Sequence, residues 1–410
     1  MKLDWERVIA AARDAHAATD FPLCAYLYDL NALAQHAANL RADLPKHCDL
    51  FYAIKANSDL PLLNTLAPLL DGFEASSGGE IAWIRRHFSQ LPLIFSGPGK
   101  LDSELELAIK QGATVHVESL HELERLAALA RASGQSASLL LRVNPALPEL
   151  ARTTLVMGGM PTQFGIATEH IPACLERLRQ EPALILCGFH FHVLSHQLDA
   201  DKHLQLLAAY LRQTREWCEQ YSLHIEHINV GGGIGVNYRE PQQQFDWPRF
   251  SRGLAELPLP EWCAGDSRCL PRLRFELGRF VSAFCGYYAT EVVDIKDAGE
   301  RTFAVVRGGT HHFRTPYAQG HSHPFRILAV EDWPRIYRRP AVRERQVTVV
   351  GQLCTPKDVL ARDTPVERLR VGDLLLFPYA GAYAWHISHH DFLRHPHPRH
   401  IYLPAEQPIF

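Results

Sequence analysis

Apolar positions along this chain repeat in two distinct ways, and the change from one to the other divides it. After an amphipathic first helix, Leu23-Cys24-Ala25-Tyr26-Leu27-Tyr28 is a short apolar run that reads as a strand, and Asp29 stands where the next helix needs an N-cap. An alternation then sets in. Strand-like runs at DLFYAIKA, DGFEASS, PLIFSG, TVHVES, SLLLRVNP, LILCGFHFHV, HIEHINVGGG and LRFELG are separated by helical patterns such as GEIAWIRRHF, DSELELAIKQG, SLHELERLAALARA and ADKHLQLLAAYLRQTREWCEQY. Eight such βα units over about 240 residues predict an α/β fold, a closed TIM-type (β/α)8 barrel with its functional groups at the C-terminal ends of the strands.

The pattern changes near Phe280. GYYATEVVDIK, RTFAVVRGG, FRILAVE, RQVTVVGQL and DLLLFPYAGAY are short, β-rich and turn-bounded with no helix expected between them, which predicts a separate all-β domain. The expected division is residues 1–30 as an N-terminal helix and strand joining the β-domain, 31–278 as the barrel, and 279–410 as the C-terminal β-domain. No internal repeat or low-complexity tract interrupts it.

Composition narrows the function. With 410 residues, 47% hydrophobic, and a net charge of −3, the chain can bury two cores and carries no field that would draw it to nucleic acid or an anionic membrane. No apolar run approaches the roughly 20 residues of a membrane span, and the first residues mix charges into a helical pattern unlike a signal peptide. The nine cysteines are scattered and never form CxxC, so neither a disulfide framework nor a structural zinc is expected, and a reducing cytoplasm fits best. The 23 histidines, with His311-His312 and the tail HISHHDFLRHPHPRH, raise the question of a metal. No HExxH spacing accompanies them, and none is expected.

The chemistry concentrates at strand ends. A strand-end lysine is ordinarily a solvated surface group, but Phe51-Tyr52-Ala53-Ile54 is apolar up to Lys55. Partial desolvation at a barrel mouth would lower the amine's pKa toward the neutral nucleophile that a Schiff base needs. Gly231-Gly232-Gly233 ends a later strand, where missing Cβ atoms let backbone N–H groups approach an anion. Taken alone, such a cluster reads equally as a flexible loop, and it is not a GxGxxG dinucleotide pattern. Glu276-Leu277-Gly278-Arg279 and His190-Phe191-His192-Val193-Leu194-Ser195 reinforce it: Arg279 is able to neutralise a phosphate, Ser195 to donate to one, and His192 to lie flat on an aromatic ring.

In order along the chain stand YAIKAN, EASSGGEI, LRVNP, QFGI, HFHVxS, NVGGGIG, ExGR, a C-terminal Cys with DVLARD, and GAY. Together they resemble the fold-type III pyridoxal-phosphate decarboxylases, which include the diaminopimelate, ornithine and arginine enzymes and share the alanine racemase-like barrel. The resemblance implies the cofactor pyridoxal 5'-phosphate, with the Schiff base on Lys55 and ring stacking on His192. It implies phosphate contacts from Ser195, Gly231, Gly232, Gly233, Gly278, Arg279 and Tyr383, a pyridine-nitrogen contact from Glu276, and a Cα proton donor in Cys354. A carboxylate at Glu276 keeps the ring nitrogen protonated and the ring a strong electron sink. Cys354 lies in the β-domain, far along the chain from Lys55, so its role makes sense if a second subunit's β-domain reaches over the barrel mouth, which implies a homodimer with shared sites. Otherwise Cys354 is an inert thiol.

The departures from the family bear on the small-molecule substrate, for which Arg142, His312, Arg314, Thr355 and Asp358 are the expected contacts. In diamino-acid decarboxylases an acidic residue follows the cysteine and meets the distal amine, but here it is Thr355. A pocket that loses an anion and gains the His311-His312 pair and Arg314 should prefer an acidic distal group. The CTPKDVLARD, HVLSHQLDA, MGGMPTQFGI and GGTHHFR segments resemble the siderophore-biosynthesis branch, similar to the staphyloferrin B and achromobactin decarboxylases. A related branch acts on glutamate held by an acyl carrier protein. Competing readings are a diaminopimelate or basic-amino-acid decarboxylase, a non-catalytic regulator on the same fold, and a metal-binding protein using the histidine-rich tail.

Overall fold

The computed structural model describes residues 3–145, 161–259, 262–264 and 267–404. Of the MGGMPTQFGI segment, Met157 to Met160 lie outside the described residues.

Eight parallel strands form the barrel: β2 (Cys48–Ala53), β3 (Gly72–Ala75), β4 (Leu93–Phe95), β5 (Thr114–Val117), β6 (Ala137–Asn144), β7 (Leu184–Phe191), β8 (His227–Gly231) and β9 (Arg272–Leu277). They pair in the order β5-β4-β3-β2-β9-β8-β7-β6, and a further β5–β6 pairing closes the ring. Each lies in one of the eight apolar runs of the sequence. Continuous apolar runs suit such strands because both of their faces are covered, by side chains inside the ring and helices outside it. The helices are begun by side-chain caps. Asp29 accepts from the Ala32 N–H, and Ser77 and Ser119 do the same for the helices Gly78–His87 and Leu120–Ser133.

The second unit is a mixed sheet. Its strands are β10 (Gly286–Ala298), β11 (Arg301–Val306), β12 (Arg326–Leu328), β13 (Ala341–Val350), β14 (Val359–Arg370), β15 (Leu374–Phe377) and β16 (Arg399–Leu403), paired as β12-β15-β10-β11-β13-β14. The N-terminal strand β1 (Cys24–Asp29) runs antiparallel to β10 and parallel to β16. Two features depart from the sequence reading. A short helix, Thr315–Gln319, interrupts the β-rich stretch. Strand β14 runs on for 12 residues through the charged TPVERLR, a stretch absent from the β-rich runs read in the sequence, which its pairing with β13 holds extended.

The units meet at the barrel mouth. Asn57 Nδ2 donates to the Gly381 carbonyl at 3.1 Å, and the Tyr383 N–H donates to the Ala56 carbonyl at 2.8 Å. His386 of the tail adds a contact to Asp59 at 3.1 Å. Among the described residues no helix is long and apolar enough to cross a membrane; Cys24, Cys48, Cys174, Cys187, Cys218, Cys285 and Cys354 are free, and of these seven Cys354 alone is exposed.

Candidate active site

Strand β2 stops at Ala53, and one 3₁₀ turn, Ile54–Ala56, carries Lys55 over the mouth. The β2–β3 register pairs Ala53 with Glu74, so two side chains leaving adjacent strand ends meet. Lys55 Nζ donates to both Glu74 oxygens at 3.0 Å and to Ser76 Oγ at 3.2 Å. Glu74 is fully buried, whereas 45% of the Lys55 side chain stays open toward the cavity it lines. Desolvation alone would lower the lysine, as expected from sequence. The Glu74 charge, helped by Tyr383 and Glu276, outweighs it and raises Lys55 above the usual range. The neutral amine read from the apolar run is thereby corrected, because that run does not show the acid supplied by the neighbouring strand.

The cavity, of about 450 Å³, brings together Lys55, Arg142, His192, Ser195, Gly233, Glu276, Gly278, Arg279 and Tyr383. Gly231 and Gly232, which precede Gly233, are not among its lining residues. Gly231 and Gly233 adopt φ of 68° and 79°, and a Cβ on Gly232 would sit 2.1 Å from the Glu276 carbonyl oxygen. Only glycine fits this loop. The Gly232 N–H donates to His192 Nδ1 at 3.2 Å, and burial, with Arg142 and Lys55, lowers His192 to about 3. The ring is therefore neutral, with Nδ1 as its acceptor.

Arg279 donates to Tyr238 Oη at 2.7 Å and lies 4.5 Å above the Tyr383 ring. Among the described residues it has no carboxylate partner. The other cations of the cavity do: Lys55 has Glu74, and Arg142 has Glu118 at 2.7 Å. The end formed by Ser195, the glycines and Arg279 is thus where an added anion is best received.

On the floor, Glu276 accepts from Asn229 Nδ2 at 2.8 Å. His116 and His190 stack 4.0 Å apart beside it, each 3.6 Å from a Glu276 oxygen. Burial pushes both imidazoles well below 6.5, so they are neutral. Burial raises Glu276 to about 8, Glu74 adding to the rise while Lys55, Asn229 and Arg142 oppose it. In the cofactor-free chain burial thus favours the protonated form of the carboxyl that the sequence reading placed against the ring nitrogen. His116, His190 and Glu276 offer atoms within 4.8 Å of one another, a spacing a cation could bridge, yet Ser96 and Asn229 already engage His116 and Glu276.

The remaining sequence-derived residues are elsewhere in this chain. His312 is fully buried, its carbonyl accepting from Tyr26. Burial takes His311 to about 4 and His312 to about 2, so both imidazoles are neutral in this chain. Asp358 turns inward to the Thr310 N–H at 2.6 Å, the Thr310 hydroxyl and the Leu353 N–H. Neither Arg314, Thr355 nor the exposed Cys354 lines the Lys55 cavity. Sequence reasoning singled out none of Glu74, Glu118, His116, His190 or Asn229. Glu74, His190 and Asn229 lie inside the quoted motifs EASSGGEI, HFHVxS and NVGGGIG at strand ends, which was the usable signal.

These residues fit a phosphorylated aldehyde cofactor: an amine at the mouth, a flat neutral imidazole on one wall, a cradle without room for Cβ atoms, and an arginine free of carboxylates. A closed barrel with that site defines a lysine-dependent carbonyl-chemistry enzyme. The chain belongs to the pyridoxal-dependent decarboxylases, the pyridoxal-binding domain of that family matching residues 30–283. It is 42% identical over 398 residues to 2-[(L-alanin-3-ylcarbamoyl)methyl]-2-hydroxybutanedioate decarboxylase of Staphylococcus aureus, covering 97% of this chain and 98% of that protein. It is 33% identical to the L-glutamyl-[BtrI acyl-carrier protein] decarboxylase of Niallia circulans, over 92% of this chain and 87% of that one. The diaminopimelate decarboxylase of Helicobacter pylori, solved with L-lysine, shares the fold with a TM-score of 0.83 at 23% identity, covering 96% of this chain and 94% of its own. The protein is a pyridoxal-phosphate-dependent carboxy-lyase, and the readings as a non-catalytic regulator or a metal-binding protein give way to it.

Proposed function

We propose that this enzyme removes the α-carboxyl group of an amino acid already joined to a citrate-like acid, a step of siderophore assembly, and works as a cytoplasmic homodimer with two shared sites. One observation carries the substrate reading. The Cys354 loop offers no outward carboxylate: Thr355 stands where a diamino-acid enzyme has an acid, and Asp358 is spent on Thr310 and Leu353. A distal ammonium brought to that loop would lose its water without gaining a partner. A substrate ending in carboxylates, like the one in the name of the Staphylococcus aureus relative, avoids that loss.

Pyridoxal phosphate supplies the electron sink for the pair released when CO₂ departs. The chain's own groups do the rest. Lys55 would attach the cofactor, and Glu74 beside it is placed to take and return the lysine's proton. His192 would pack against the ring, while Ser195, Gly231 to Gly233, Gly278, Arg279 and Tyr383 would hold the phosphate. Glu276 would hold a proton at the ring nitrogen. Cys354 of the partner subunit would be the donor of the proton that Cα needs. Its exposure outside its own chain's cavity supports a role across the dimer.

The test is CO₂ release from a panel holding the hydroxybutanedioate conjugate, diaminopimelate, lysine and ornithine. The conjugate should exceed every free diamino acid in kcat/KM by at least about a hundredfold, since leaving charged groups unpaired costs a few kcal/mol. Equal or better turnover of diaminopimelate would overturn the substrate reading.

A further inference from the structure

His196 lines the same cavity one residue beyond Ser195, and no role is assigned to it above. Its backbone is left-handed, with φ of 63°, a conformation that costs a non-glycine residue free energy and persists only where surroundings impose it. Here they do. The Gln197 N–H donates to the Gly233 carbonyl and the Gly235 N–H to the Gln197 carbonyl, both at 2.8 Å. A Cβ on Gly235 would meet the His196 carbonyl carbon at 2.9 Å. The turn thus locks the histidine loop onto the glycine loop and sets the imidazole beside the anion-receiving end.

The ring is held but not satisfied. It lies nearly parallel to Tyr238, at 10° and 6.3 Å between centroids, and Tyr238 is the same residue that accepts from Arg279. One tyrosine therefore positions both the imidazole and the guanidinium. Among the described residues Nδ1, sealed from solvent, has no hydrogen-bond partner, and Nε2 makes no bond either. A sealed N–H without an acceptor is the costlier alternative, so the proton belongs on Nε2, the nitrogen left open.

We propose that His196 is a further phosphate-binding residue of this site, donating from Nε2 to a phosphate oxygen alongside Ser195, the glycine loop and Arg279. This rests on the proposed placement of the cofactor phosphate at that end. A dianion there also suits the ring's electrostatics: burial and Arg279 hold His196 down to about 4, and a phosphate opposes both effects.

The test compares cofactor affinities rather than turnover. His196→Gly suits it because glycine adopts φ of 63° without strain, so the backbone turn is kept and only the ring is lost. Wild-type and variant protein, stripped of cofactor, are titrated with pyridoxal phosphate and with pyridoxal, following visible absorbance. One hydrogen bond to a charged group is worth about tenfold in Kd, so the variant should bind pyridoxal phosphate about tenfold more weakly and pyridoxal as well as wild type does. His196→Asn, which tolerates the left-handed turn and keeps an N–H, should recover part of the loss. Equal weakening toward both ligands would make the ring a general wall of the cavity and overturn the proposal, as would no weakening at all. A Ser195→Ala control that loses nothing toward pyridoxal phosphate would instead show that the phosphate lies elsewhere, which overturns the placement on which the proposal rests.

Discussion

Lys55 Nζ sits 3.0 Å from both oxygens of Glu74, a carboxylate with no exposed side-chain surface, and this pair rather than burial decides the protonation of the amine. The ammonium must shed a proton before it attacks a carbonyl. Glu74→Gln keeps the shape and removes the charge, so the lysine becomes less basic. The rate at which stripped protein captures added pyridoxal phosphate, followed by absorbance, should rise with pH in both proteins. In the variant the profile should lie at least about one pH unit lower. Coincident profiles would show that another group governs Lys55.

Glu276 gives a stability prediction whose sign is opposite to that of most carboxylates. Its folded value of about 8 exceeds the ordinary 4.5, so the folded state binds the proton more tightly. The resulting stabilisation is complete below about 4.5 and is lost as pH rises through about 8. Glu276→Gln cannot ionise. Between about pH 6 and 9 the Tm of stripped wild type should fall relative to that of the variant, and parallel Tm curves would contradict the raised value.

Gly232 tests the cradle by steric means alone. A methyl group there would stand 2.1 Å from the Glu276 carbonyl oxygen, forcing β8 and β9 apart at the point where they hold the site. Gly232→Ala should cost about 1–3 kcal/mol of stability and weaken cofactor binding more than Gly299→Ala weakens it, since nothing lies within 4 Å of a Cβ at Gly299. Chemical denaturation and cofactor titration of the two variants check it.

The shared site is testable by mixing. Lys55→Ala and Cys354→Ala chains are each expected to be nearly inactive. Half of a randomly reassorted population is mixed dimer, and each mixed dimer has one site with both residues intact, so activity should return to about a quarter of wild type. If mass spectrometry shows exchange and no activity returns, Cys354 does not serve a partner's barrel.

The eight barrel strands were legible because strands covered on both faces are mostly apolar, and β2 to β9 are short runs of that kind, punctuated by amphipathic helices. Lys55, the glycine loop and Glu276-Leu277-Gly278-Arg279 were legible too, since each is a local pattern at a strand end. What the sequence could not carry is which strand ends are neighbours. The β2–β3 register sets Glu74 against Lys55 and reverses the expected shift of the amine, and closure of the ring buries Glu276 beside His116 and His190 and raises its carboxyl. Packing within the β-domain likewise turned Asp358 inward and sealed His312, residues that local pattern had assigned to a substrate. A charge is set by everything within a few ångströms of it, and only the tertiary structure brings residues distant in the chain that close.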